Sequence, residues 1–254
     1  MQKGGLAISI TRLLYHEDAY VKEFNARILA VKKIDAQYEL VLDQTAFYPI
    51  GGGQPADTGT IKGPSGEAKI TDVYMNQGVV IHIAKEITGK INEGEQIRGI
   101  IDWTRRYQLM RNHTLAHLMA EAVRKVTGST MAVVGSGLDV DKARLDLTYD
   151  GSLGPLLFSI EKTTNDIIKE NRSVEIKMMP RAEAEKFVER FYESLKILPP
   201  QIQNVRIVEV KDLHACACGG THVKNTGEIG IVVVLRRVSK GKGIERIEFT
   251  AKTS

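Results

Sequence analysis

Between Arg12 and about Asp102, apolar residues fall at every second position or in short clusters, as in ARILAVKKI, YELVLD, KITDVYM and GVVIHIA. Gly, Asn and Pro punctuate them. Alternation at period two puts the apolar side chains on one face of an extended chain, so this stretch predicts strands joined by turns. The expected architecture for residues 1–100 is a small β-barrel domain. The opening MQKGGLAISI offers no clear partner and reads as a loose terminus or an upstream start. At Asp102 the period changes. TRRYQLMRNHTLAHLMAEAVRKVTG carries apolar residues at helical spacing, with Asp102 or Thr104 to cap the helix and Gly128 to stop it. RLDLTY then alternates as a strand, PLLFSIEKTTNDIIKEN predicts a helix opened by Pro155, VEIKMM a strand and RAEAEKFVERFYESL a further helix. Beyond Pro199 and Pro200, VRIVEV, IVVVLRRV and IERIEFTA read as strands, the last two forming a hairpin over SKGKG. Residues 101–254 therefore predict a second domain, an α+β two-layer sandwich with helices on one face of a largely antiparallel sheet.

Composition agrees with two modest domains in 254 residues, given about 100–200 residues per domain. Apolar residues make up 43% and charged residues 26%, enough for a core and against extensive disorder. No apolar run approaches the roughly 20 residues of a membrane span, and the opening lacks a signal-peptide pattern, so the expected location is the cytoplasm. The formal charge of +4 suits a polyanionic partner as well as an ordinary solvated surface.

The only two cysteines, Cys216 and Cys218, sit two apart, which excludes a disulfide framework and points to metal ligation. His113 and His117 are four apart inside the strongest helical pattern, so both imidazoles leave the same helix face. Such a pair is also common without a metal. Cys218-Gly219-Gly220-Thr221-His222 changes the balance, because a thiolate and an imidazole flank two glycines that let the backbone turn tightly around an ion. Thiolate and imidazole together select Zn²⁺ over oxygen-seeking cations. The expected centre is one zinc ion on His113, His117, Cys218 and His222. Cys216 reads as a small core residue or an outer neighbour of the site, and His214 as a loop or outer residue.

HTLAH followed about a hundred positions later by CGGTHVKNTGEIG resembles the editing domain shared by alanyl-tRNA synthetases and their free-standing AlaX relatives. A second block, LDQTAFYPIGGGQPADTG over residues 42 to 59, resembles the glycine-rich motif of the alanyl branch. The match runs from TRLLYHEDAY to RIEFTA and implies the medium AlaX form, barrel plus editing domain, without an aminoacylation domain or a long C-terminal extension. It implies an aminoacyl-tRNA hydrolase acting in trans on tRNA(Ala) mischarged with serine or glycine. One departure stands out. Relatives read DLQACGGTH or similar, whereas Ala217-Cys218 follows Cys216 here before GGTH, and the spacing to His222 selects Cys218 as the ligand.

The glycine-rich run Gly51-Gly52-Gly53-Gln54-Pro55 is not followed by GK[ST], so it is no P-loop and no ATP is expected. Its glycines permit close backbone approach, either as a plain turn or, by the resemblance, at the substrate pocket. The resemblance also assigns Thr45 and Gln54 to that pocket, where a hydroxyl and an amide would bond the seryl hydroxyl. Arg105, Arg106, Arg111, Arg124, Lys125, Arg236, Arg237, Lys240 and Lys242 are candidates for phosphate contacts with the tRNA acceptor end. Two rivals remain: a non-catalytic zinc-stabilised tRNA-binding module, and a zinc hydrolase for small molecules.

Overall fold

The computed structural model describes residues 10–196 and 198–253, so most of the opening segment expected to be loose lies outside the described residues. The chain divides into two compact units. One comprises the described residues through Gly51 together with Pro55–Arg106. The other comprises Gly52–Gln54 and the chain from Tyr107 onward.

The first unit is a closed barrel of six strands, in the order Glu23–Ile34, Gln37–Leu42, Val79–Gly89, Gly66–Asn76, Gly59–Lys62 and Gln96–Ile101. Period-two alternation explains its interior. Glu23–Ile34 turns Phe24, Ala26 and Ile28 inward while Glu23, Asn25 and Arg27 face out. Leu40, Leu42, Ile61, Ile70, Val73 and Val80 fill the same core. Closing the sheet removes the exposed edges that an open one would present. Gly59–Lys62 and Gln96–Ile101 complete the barrel without having stood out in the pattern. The first has four residues, and Gly99 interrupts the apolar run of the second.

Arg106 is the last residue of this unit and is fully buried. Its guanidinium pairs with the equally buried Asp57, Nε standing 2.9 Å from Oδ1. It also donates to the carbonyls of Ala19 at 2.9 Å and Ala46 at 2.5 Å. Asp57 accepts a further bond from the Tyr48 amide at 2.6 Å. Every partner is internal, so the expectation that Arg106 meets phosphate is corrected: it ties three barrel segments together.

The helix Trp103–Thr127 opens with the Arg105 amide donating to the Asp102 carboxylate at 3.2 Å. It stops at Gly128, whose φ of +67° breaks the helical course and whose amide still reaches the Arg124 carbonyl at 2.9 Å. From Tyr107 on, this helix belongs to the second unit. That unit carries two antiparallel sheets where one was expected. The four-stranded sheet runs in the order Ile231–Gly241, Ile244–Lys252, Ala143–Thr148 and Val133–Leu138. The three-stranded sheet runs Val174–Pro180, Asn204–Val210 and His214–Ala217.

Each sheet has its own helix, which is the physical reason for the division. Leu157–Lys169 is tied to the first through Glu161 and Asn165, which accept from the amides of Val234 at 2.7 Å and Val232 at 3.0 Å. Ala184 and Val188 of the helix Arg181–Glu189 pack on Val205, Ile207 and Ala215 of the second. That helix is shorter than RAEAEKFVERFYESL predicted. Tyr192, at φ +61°, turns the chain so that Leu195 reaches the same core. In the hairpin of the four-stranded sheet, Lys242 and Gly243 both have positive φ, the turn whose twist matches paired strands. The α+β class with an N-terminal barrel stands as expected. Among the described residues no helix is long and apolar enough to cross a membrane.

Replacing Arg106 by Met should leave Asp57 buried without its partner. Urea denaturation is expected to show a loss of about 3–5 kcal/mol in the stability of the barrel unit. A loss under about 1 kcal/mol, the level of an exposed pair, would show the pair to be dispensable.

Candidate metal centre

Two elements bring the soft donors together. On the helix Trp103–Thr127, His113 and His117 stand one turn apart on a common face. On the other side, the strand His214–Ala217 pairs with Asn204–Val210, placing His214 opposite Val210 and Cys216 opposite Val208. The Cys218 amide continues the ladder to the Arg206 carbonyl at 3.1 Å. Alternation along this extended segment therefore turns His214, Cys216 and Cys218 to one face. Of the two readings of His214, loop residue or outer neighbour of the site, the loop is corrected: His214 is a buried strand residue beside His117.

One donor atom each from His113, His117, Cys218 and His222 lies within 4.8 Å of the others. Cys218 Sγ is 3.4 Å from His113 Nε2 and 3.3 Å from His222 Nε2. Sulfur and nitrogen on one tetrahedral zinc, at about 2.3 and 2.0–2.1 Å from it, stand about 3.5 Å apart. The donors thus have the type and the mutual spacing that one zinc ion requires, and the residues fit the group.

The ring orientations are held from behind. The Gln54 carbonyl oxygen lies 2.8 Å from His113 Nδ1, and the same oxygen accepts from the Thr221 amide at 3.1 Å. A carbonyl only accepts, so the network assigns the His113 proton to Nδ1 and leaves the Nε2 lone pair toward Cys218. The Gln54 amide donates to Thr221 Oγ1 at 2.9 Å. On the other side Thr114 Oγ1 sits 3.2 Å from His222 Nδ1 and takes the Val223 amide at 3.2 Å. Partners of this kind fix tautomer and direction for a metal ligand.

Of the two glycines in the turn, only one is required by contact. A Cβ on Gly220 would lie 2.1 Å from His113 Cε1 and 2.9 Å from Gln54 Oε1, whereas one on Gly219 would meet nothing within 4 Å. The expectation that both glycines serve the turn narrows to Gly220, and the reason is the approach of an imidazole rather than backbone conformation.

Burial governs the charges. It lowers the pKa of His117 to about 4 and holds His113 and His222 well below the usual imidazole range, with neighbouring imidazoles and Arg206 adding to the effect. Neutral imidazoles are the ligating form. Burial raises the Cys218 thiol, opposed by the Gly220 amide and the positive charge of Arg206.

His113, His117 and Cys218 line a cavity of ≈ 620 Å³, together with Ser136, Leu138 and Gly52. This lies within the range of about 300–1,000 Å³ typical of small-molecule sites. Gly52, Gly53 and Gln54 belong to this unit, whereas Gly51 and Thr45 belong to the barrel unit. The Gly51 carbonyl accepts from the Tyr48 hydroxyl at 3.0 Å. Thr45 is fully buried, with its hydroxyl 2.8 Å from Nε2 of His82, whose pKa burial lowers to about 4.

Of the candidate phosphate contacts, Arg111 is buried on the Ile229 carbonyl, and Arg236 and Arg237 pair with Glu248 and Glu245. Arg124 pairs with Glu121. Lys125, Lys240 and Lys242 are exposed. Sequence reasoning passed over Thr114 and Thr221 as supports, although both lie inside the two motifs.

Residues 13–105 match the family described as tRNA synthetases class II (A), and residues 205–248 match the second additional domain of threonyl and alanyl tRNA synthetases. The alanyl-tRNA editing protein AlaX-M of Methanosarcina acetivorans is 37% identical over 247 residues, covering 95% of this chain and 99% of that protein. The alanine–tRNA ligase of Pyrococcus abyssi is 42% identical over 241 residues, 94% of this chain. That of Thermococcus kodakarensis is 41% identical over 243 residues. The chain spans about a quarter of these ligases, 26% in each case.

Gly220→Ala should displace His113 and deplete bound zinc, while Gly219→Ala should leave it at the wild-type level. Gln54→Leu, which removes the acceptor behind His113, should weaken zinc binding by roughly 10–100-fold. Competition with a chromophoric chelator measures all three, and equal affinities for the two glycine variants would contradict the packing described.

Proposed function

The chain belongs to the AlaX-type family of alanyl-tRNA editing proteins, and from that premise we propose that it is a trans-acting hydrolase of mischarged tRNA(Ala). In this reading it releases serine, and glycine as a second substrate, at one zinc ion held by His113, His117, Cys218 and His222. The observation that carries the reading is a cluster of four soft donors, three of which face a cavity of ≈ 620 Å³.

Zinc bound there would supply positive charge to polarise the ester carbonyl or to lower the pKa of a water molecule. The chain's own residues do the rest. His113, His117 and Cys218 stand at the cavity wall, and His222 completes the donor set beside them. Gln54 acts as a positioning residue, holding His113 in the tautomer that turns Nε2 to Cys218. Thr114 does the same for His222. Gly52, bare of a side chain at the cavity wall, leaves room for the aminoacyl end. Gly51 and Gly53 flank it in the same motif.

The resemblance assigns the preference for serine to Thr45 and to Gln54, of which Gln54 belongs to the unit that holds the donors and Thr45 to the barrel unit. A site built to bond a hydroxyl rejects alanine because its own buried polar atoms would be left unpaired. The exposed Lys125, Lys240 and Lys242 are candidates to meet phosphate, which would make tRNA affinity fall with added salt.

The test is deacylation of seryl-, glycyl- and alanyl-charged tRNA(Ala) side by side. Serine should be released at catalytic protein levels and alanine spared. Cys218→Ala and His113→Ala should abolish release, and Cys216→Ala should leave it nearly intact. Dialysis against a chelator should stop the reaction and added zinc should restore it. Binding of charged tRNA without release of serine would establish the zinc-stabilised binding module instead.

A further inference from the structure

The tandem Ala215-Cys216-Ala217-Cys218 does more than place one thiol. Four residues along a helix advance about 6.0 Å, and two residues along a strand advance about 6.6 Å. Two such rails laid side by side stay in register for two rungs. The first rung is His113 with Cys218, at 3.4 Å. The second is His117 with Cys216, where Nδ1 and Sγ stand 3.5 Å apart. At the second rung the His214 ring lies edge-on to the His117 ring, with centroids 5.1 Å apart and planes at 78°. One donor atom each from His117, His214 and Cys216 lies within 4.8 Å of the others. All three residues line the same cavity as Cys218, so the second rung is open to a ligand arriving there.

We propose that His117, His214 and Cys216 form a second seat for a soft divalent ion, exclusive with the first because both claim His117. Three soft donors within 4.8 Å of one another are the number that an open zinc site uses, with the fourth position left to water or substrate. Filling the seat releases one proton, from the Cys216 thiol to solvent, and involves no change of oxidation state. An ion can therefore step one rung along the cavity wall without leaving the protein. The seat follows from the rung geometry and holds whether or not the chain proves to be a deacylase.

Cobalt(II) substitution reads the seat directly, because a thiolate ligand produces a near-ultraviolet charge-transfer band that imidazole does not. Full-length Cys218→Ala, verified as folded by circular dichroism, should still bind one equivalent of cobalt and show that band. Adding Cys216→Ala should remove it, whereas Cys216→Ala alone should keep it through Cys218. Adding His214→Ala to Cys218→Ala should weaken cobalt binding by more than the roughly 10–100-fold that loss of an outer partner costs. If Cys218→Ala does not fold, Cys218→Ser, which preserves size and polarity, takes its place with the same expectation. A folded Cys218 variant that takes up no cobalt, or takes it up without the thiolate band, overturns the proposal. Two equivalents on the wild-type chain, each with its own thiolate band, would overturn it in favour of a two-ion centre.

Discussion

Imidazole and thiol groups withdrawn from water lose hydration that something must offset. In the second unit of this protein the offset is collective. Two of the rings have one nitrogen tied back, His113 to Gln54 and His222 to Thr114, and the other turned toward sulfur. Desolvation keeps the imidazoles neutral, so they meet as lone-pair donors instead of repelling as cations. A soft cation would complete such an arrangement, and the turn, the glycine and the two threonines hold the donors in place for it.

Seen from that constraint, the glycine-rich motif has a definite duty. Gly52, Gly53 and Gln54 belong to the unit that holds the donors, although the chain on either side belongs to the barrel. The three residues deliver one amide, and its two ends are spent on Thr221 and on His113. Gly220 is bare because His113 and Gln54 already occupy the space of its Cβ. The motifs around Gln54, His113 and His222 are thus parts of a single hydrogen-bonded device, with His113 lying 59 residues and Thr221 167 residues after Gln54 in the chain. Cys218 adds a second thiol at strand period, so the face that carries His214 and Cys216 carries three donors. Family membership says what kind of reaction to look for, and the second rung is built from this chain's own His117 and Cys216.

Much of this was legible in the residues. Period-two runs such as Phe24, Ala26 and Ile28 declare barrel strands because burial of alternate side chains is a local, repeating demand. Asp102 and Gly128 bound the long helix for equally local reasons, a carboxylate for open amides and a residue at ease with positive φ. His113 and His117 share a face by helix geometry alone, and CGGTH declares soft ligation by residue type. What the residues left open depended on distant partners. Alternation says that Val205, Ile207 and Val232 are buried but not in which sheet, and only packing against two different helices divided one expected sheet into two. Arg106 looked like a phosphate contact because charge is visible in sequence and burial beside Asp57 is not. His214 looked like a loop residue because four residues, HACA, are too few to show a period. Its place beside His117 was decided by pairing with Val210, a contact that exists only once the tertiary structure has brought that strand against its neighbour.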